Sequence, residues 1–232
     1  MLMGNITRLH LKRKLLYVTT SCCVIFCFVS SETKVTLDLK TWYVLIVKLG
    51  GCGIDREFCF LCHALRIRNA ISQRGLVLVG WYHSHPSYQP DPSLQDIQNQ
   101  LKYQSILQQD NAPYGPCLGI IVSPYDTGSY RPSKESTIRA FWVQVSSDSH
   151  KLGIPMLMNT TSHQDQFLTQ DLLNELRWMW SFYKGSPDTI NFHNMWHGNQ
   201  TYLDKVKSSL IKKFPTDQTD GRFLEFINTL LT

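Results

Sequence analysis

His83 and His85 stand two residues apart in GWYHSHP, ten residues separate His85 from Asp96, and Ser93 sits three before that aspartate. Two imidazole nitrogens and a carboxylate, with a fourth position left for water, are the donors of an open tetrahedral zinc site. Such an ion polarises a carbonyl and lowers the pKa of its water to about 7. The same letters also admit a plainer reading, in which Ser93 and Asp96 only cap a helix and the histidines stand near them by chance.

These residues need elements to present them. The run Gly75 to Tyr82 is apolar and β-prone, so the histidines fall at the end of a strand, where residues i and i+2 share a side. Pro86, Pro90 and Pro92 forbid a helix in the loop that follows. From Ser93 to about Gln109 the sequence is helix-compatible, with Leu94, Ile97, Leu101 and Ile106 at helical spacing. Ser93 is a natural N-cap and Asp96 falls in the first turn, so a carboxylate is set opposite two imidazoles across a short loop.

H-S-H-P followed by S-x-x-D resembles the JAMM motif of MPN-domain metalloproteases, and the likeness extends through PSLQDI, CLGIIVSPY, GIPM, FLTQDLLNE, FYKGSPD and TYLDKVKSSL, from about Ile71 to Thr232. The resemblance implies an α/β fold, a mixed sheet flanked by helices related to cytidine deaminases, with a helical C-terminal extension. It implies zinc held by His83, His85 and Asp96, with Ser93 stabilising the oxyanion. The implied reaction is hydrolysis of an amide or isopeptide bond, with ubiquitin or a ubiquitinated protein as substrate, in the nucleus or cytoplasm. The domain layout expected is an apolar N-terminal segment over 1–34, the MPN domain over 35–150 and the helical extension over 151–232.

One part of the pattern is missing. The family carries a glutamate on an early strand, in a run like E-V-x-G-x-L-G-G, and this chain offers VLIVKLGG with Val44 at that position. That glutamate takes the proton of the attacking water and hands it to the leaving amine, a role worth about 10²- to 10⁴-fold. Glu32 and Glu57 are the nearest substitutes, neither with the matching context. A catalytically silent MPN module that binds protein partners therefore stands as the alternative.

At 232 residues with a net charge of +5, the chain suits an ordinary domain with a sizeable core. Its basic residues are scattered, so no nucleic-acid stripe is read from them. Residues 1–31 have a basic start and an apolar run, the outline of a signal or anchor, but the run is short for a membrane span. Seven cysteines, an odd number with three in the N-terminal run, do not describe a secreted disulfide framework. Asn5, Asn159 and Asn199 head glycosylation sequences that matter only if the chain is exported. Cys59-Phe-Leu-Cys62-His63 matches the attachment signature of c-type haem and frames a rival reading as an exported haem protein.

Further elements follow from the same periodicities. A short helix is expected from Arg66 to Gln73 and strands over Val35 to Leu39, Thr41 to Leu49, Cys117 to Val122 and Thr137 to Val145. Ser162 to Tyr183 reads as a long helix capped near Thr161 or Ser162, with Phe167, Leu168, Leu172, Leu173, Leu176, Met179 and Trp180 on its apolar face. Tyr202 to Phe214 and Phe223 to Leu231 read as two more amphipathic helices. His193 and His197 read as surface histidines in a loop.

Overall fold

The computed structural model describes residues 9–12, 26–30, 38–39, 77–107, 117–128, 135–145, 153–163, 166–185, 189–211, 213 and 215–232. Three short strands come first, β1 (Leu9–Lys12), β2 (Phe26–Ser30) and β3 (Asp38–Leu39). Then come β4 (Val77–Ser84), α1 (Leu94–Leu107), β5 (Leu118–Ser123), β6 (Thr137–Gln144), β7 (Ile154–Met158) and β8 (Thr160–His163). The C-terminal part holds α2 (Gln170–Tyr183), β9 (Met195–His197), β10 (Gln200–Thr201), α3 (Tyr202–Leu210) and α4 (Arg222–Leu231).

The site is built on a mixed sheet of order β4-β5-β6-β7, with β2 along the outer edge of β4. β4 and β5 run parallel, and parallel neighbours need a long crossover, which α1 supplies. β5, β6 and β7 then pair antiparallel. Every residue of β5 is buried, as its unbroken LGIIVS run requires of a central strand covered on both faces. Gly119 in its middle is needed for close approach, since a Cβ there would press into the Phe141 ring and lie 2.9 Å from Gln100 Oε1.

Two cores result. Trp81, Ile97, Cys117, Ile121, Phe141 and Val143 form one, with Leu101 and Tyr103 packed against it. The other gathers Leu176, Phe192, Leu203, Val206, Phe223, Ile227 and neighbours from the C-terminal helices. Tyr125, just past β5, packs in this second core. α3 opens with a reciprocal cap in which the Thr201 and Asp204 side chains each bond the other's backbone N–H. α4 starts after Gly221, whose φ of 86° favours glycine.

The mixed α/β sheet and the strand delivering the histidines agree with the sequence, as do the strands read over Cys117 to Val122 and Thr137 to Val145, which pair antiparallel. Three expectations need correction. The helix read from Ser162 begins only at Gln170, with Thr169 as N-cap accepting from Leu172 N–H at 3.3 Å, while Thr160–His163 is extended. Adjacent Thr160 and Thr161 favour strand, and Phe167, placed on the apolar face, precedes the helix and is 70% exposed. The helix read as Tyr202 to Phe214 ends at Leu210, with Ile211 as its C-cap. Leu94, which shares the helical spacing of Ile97 and Leu101, is 67% exposed. Thr41 to Leu49, the Arg66 to Gln73 helix, Val44, Glu32, Glu57 and the Cys59 to His63 motif lie outside the described residues. No helix among the described residues is long and apolar enough to cross a membrane.

Candidate metal centre

β4 carries His83 inside the strand, paired with Ile121 of β5. The pairing outlasts the strand, because His85 N–H donates to Val122 O at 2.8 Å. The loop that follows is tied to the end of β5, with Tyr125 N–H donating to Pro86 O at 3.0 Å and Ser123 Oγ donating to Tyr88 O. Arg139 of β6 holds Asp91 in an ion pair. Proline-shaped and anchored on both sides, this loop returns the chain so that α1 starts over the two imidazoles.

Ser93 caps α1. Its hydroxyl accepts from Asp96 N–H at 3.2 Å, and its own N–H and hydroxyl donate to Asp96 Oδ2 at 2.8 and 2.7 Å. The capping reading and the ligand reading are thus compatible, because the cap occupies Oδ2. Oδ1 lies 2.9 Å from His83 Nε2.

His83, His85 and Asp96 come together. The two Nε2 atoms are 3.2 Å apart, and His85 Nε2 lies 3.2 Å from Asp96 Oδ2. The donor atoms of all three lie within 4.8 Å of one another. Zinc bonds of about 2.0–2.1 Å in a tetrahedron set ligands about 3.3 Å apart, so the donor set and its spacing fit zinc. His83 and Asp96 are buried, whereas His85 is partly open and Ser93 is exposed, so one side of the cluster faces solvent.

Electrostatics follow from this crowding. His85 Nδ1 lies 2.9 Å from Gln89 O, which fixes its proton on Nδ1 and turns the lone pair of Nε2 inward. The hydrogen bond to Asp96 raises the His85 pKa, against the opposing effect of burial. Burial pulls Asp96 upward, but the bonds to His83, His85 and Ser93 outweigh it and hold the carboxyl well below the usual carboxylate range. His83 Nδ1 is buried with no hydrogen-bond partner among the described residues.

Two residues at this site escaped the sequence. Trp81 stacks on His83 with ring centroids 4.8 Å apart and planes 10° off parallel. Its indole N–H donates to Gln100 Oε1 at 2.5 Å. The signal available was spacing, since Gln100 and Gln104 follow Asp96 by four and eight residues and share its helix face. His193 and His197 are both exposed and off any helix, His197 on β9.

Residues 55–109 match the family described as JAB1/Mov34/MPN/PAD-1 ubiquitin protease. An MPN domain-containing protein of Mus musculus is 44% identical over 160 residues, 68% of this chain and 32% of the relative. One from Danio rerio is 44% identical over 156 residues, 66% of this chain and 34% of the relative. A Mus musculus protein named deubiquitinase MYSM1 is 35% identical over 114 residues, 49% of this chain and 12% of its own length. The chain thus spans about a third or less of the curated relatives it matches.

Proposed function

We propose that this chain, a member of the MPN/JAMM family, is a zinc-dependent metalloprotease that hydrolyses amide or isopeptide bonds, with ubiquitin-conjugated protein as the substrate class. The observation that carries the reading is the convergence of two imidazole nitrogens and one carboxylate at 2.9–3.2 Å on a partly open face. The likeness to a protein named deubiquitinase supports the substrate class.

His83, His85 and Asp96 would hold the metal. A zinc ion there supplies a Lewis acid and a means of ionising water near neutral pH. Ser93 is exposed at the rim and is the donor proposed for the oxyanion. To serve there its hydroxyl must release Asp96 Oδ2, and the Ser93 N–H, bonded to the same oxygen at 2.8 Å, keeps the carboxylate aimed meanwhile. His85 remains aligned throughout by its bond to Gln89 O.

A second reading, a zinc-holding MPN module that binds partners without cleaving them, is favoured by one observation, Val44 where the family has glutamate. The two separate in one experiment on the full chain, zinc by elemental analysis alongside turnover of diubiquitin or a fluorogenic ubiquitin amide. The protease reading expects about one zinc per chain together with turnover. Zinc without turnover favours the binding module, and absence of zinc defeats both.

A further inference from the structure

Metal-ligating histidines are ordinarily oriented by a hydrogen bond from the ring nitrogen that does not face the metal. His85 has that bond, to Gln89 O. His83 does not, since its Nδ1 is buried without a partner among the described residues. Something else must fix the plane of this ring, which at 3% exposed sits deep in the fold.

The Trp81 face is the candidate, lying nearly parallel on the imidazole. Two further rings brace Trp81 edge-on, Tyr103 at 4.9 Å and Phe141 at 6.3 Å between centroids. The indole is then tethered by its N–H to Gln100 Oε1. Gln100 is fully buried, and its amide has no freedom to turn. Gln100 Nε2 donates to Cys117 O at 2.7 Å and to Gln104 Oε1 at 2.8 Å. Gln104 in turn accepts from Val143 N–H at 2.9 Å and donates to Val143 O at 2.8 Å. The tether therefore ends on the backbone at Cys117, just before β5, and at Val143 of β6.

We propose that Trp81 and Gln100 are positioning residues for His83, a stacked ring and its buried amide anchor standing in for the absent hydrogen bond. The helix that brings Asp96 to the cluster thus also sets the opposite ligand, one turn further on. This rests on the proposed zinc site and adds to it a claim about affinity.

The test is a zinc dissociation constant, read by competition with a chromophoric chelator, for the full chain and its variants, with thermal unfolding of the metal-free forms as the folding control. Outer-shell changes typically cost about 10- to 100-fold in metal affinity, and Gln100→Leu is expected in that range. Trp81→Phe keeps an aromatic face and loses the N–H, so it weakens zinc about as much, and the double variant is no worse than Gln100→Leu alone. Unchanged affinities, or losses that multiply in the double variant, overturn the inference. Should Gln100→Leu fail to fold, Trp81→Phe against Trp81→Leu decides, since only the second removes the stack. About a further tenfold loss in Trp81→Leu supports the stack, and equal affinities refute it. A parent chain without zinc defeats the proposed function and this inference together, whereas a parent and variants that bind alike defeat this inference alone.

Discussion

α1 and α4 are both amphipathic helices against a core, yet they are fastened by different means. α4 buries Phe223, Ile227 and Leu231 at helical spacing and depends on apolar contact. α1 turns Asp96, Gln100 and Gln104 inward, one turn apart, and each makes hydrogen bonds to β4, β5 or β6. Apolar burial is non-directional and tolerates repacking. A satisfied buried polar network fixes one geometry. The region with the candidate chemistry is the one built for position, and the C-terminal region is built for stability.

Breaking the two regions should have unlike consequences. Asp96→Asn removes the anionic donor while leaving an oxygen for the cap, and is expected to weaken zinc by more than about 100-fold, beyond the range of outer-shell changes. Chelator competition reads this, and the metal-free fold should survive. Ile227→Ala is the mirror case. This side chain is fully buried, so a loss of about 2–5 kcal/mol is expected in urea unfolding, with zinc affinity of the folded fraction unchanged.

Acidity sharpens the contrast. In the metal-free protein the raised His85 contributes stability that is complete below its ordinary 6.5 and is lost as pH rises through its folded value. Asp96, held low, contributes stability present above its ordinary 3.8 and lost as pH falls towards its folded value. These two groups therefore favour the metal-free fold between those limits. Zinc needs His85 unprotonated, so affinity should fall about tenfold per pH unit below the raised pKa, and loading should move the stability optimum upward. Thermal unfolding against pH, with and without zinc, checks both directions.

The smallest effect belongs to a buried charge in the C-terminal region. Lys205 is 2% exposed, its ammonium 5.1 Å from the Trp196 ring centroid, and burial first, then Lys213, push its pKa down to about 8. A folded value below the ordinary 10.5 means that the unfolded chain binds the proton more tightly, so stability rises with pH between about 8 and 10.5. Lys205→Met should stabilise the fold at pH 7 by about 1 kcal/mol or more and abolish that rise in denaturant titrations.

The sequence was legible where local rules suffice. The β4 strand, the His-x-His pair on one side of it, the Ser93 cap and the α4 stripe follow from period and capping alone. Apolar spacing alone does not show that Leu94 is exposed while Asp96 and Gln100 face the core. An amide is buried only if partners satisfy it, and apart from their bond to each other those of Gln100 and Gln104 lie 17 to 39 residues away, beyond any window of periodicity. The start of α2 was set too early because Ser162 can also cap, whereas Thr169 has the helix behind it. The cluster was readable because its three donors sit in local motifs, whereas the two glutamates weighed as general base, Glu32 and Glu57, have no matching context and lie outside the described residues.

The most direct measurement is the zinc content of the full chain after exhaustive dialysis, set beside that of His85→Ala. About one zinc per parent chain, lost in the variant while its far-ultraviolet spectrum is retained, is the predicted result. A parent without zinc, or a variant that keeps it, would contradict the three-donor site on which the proposed chemistry depends.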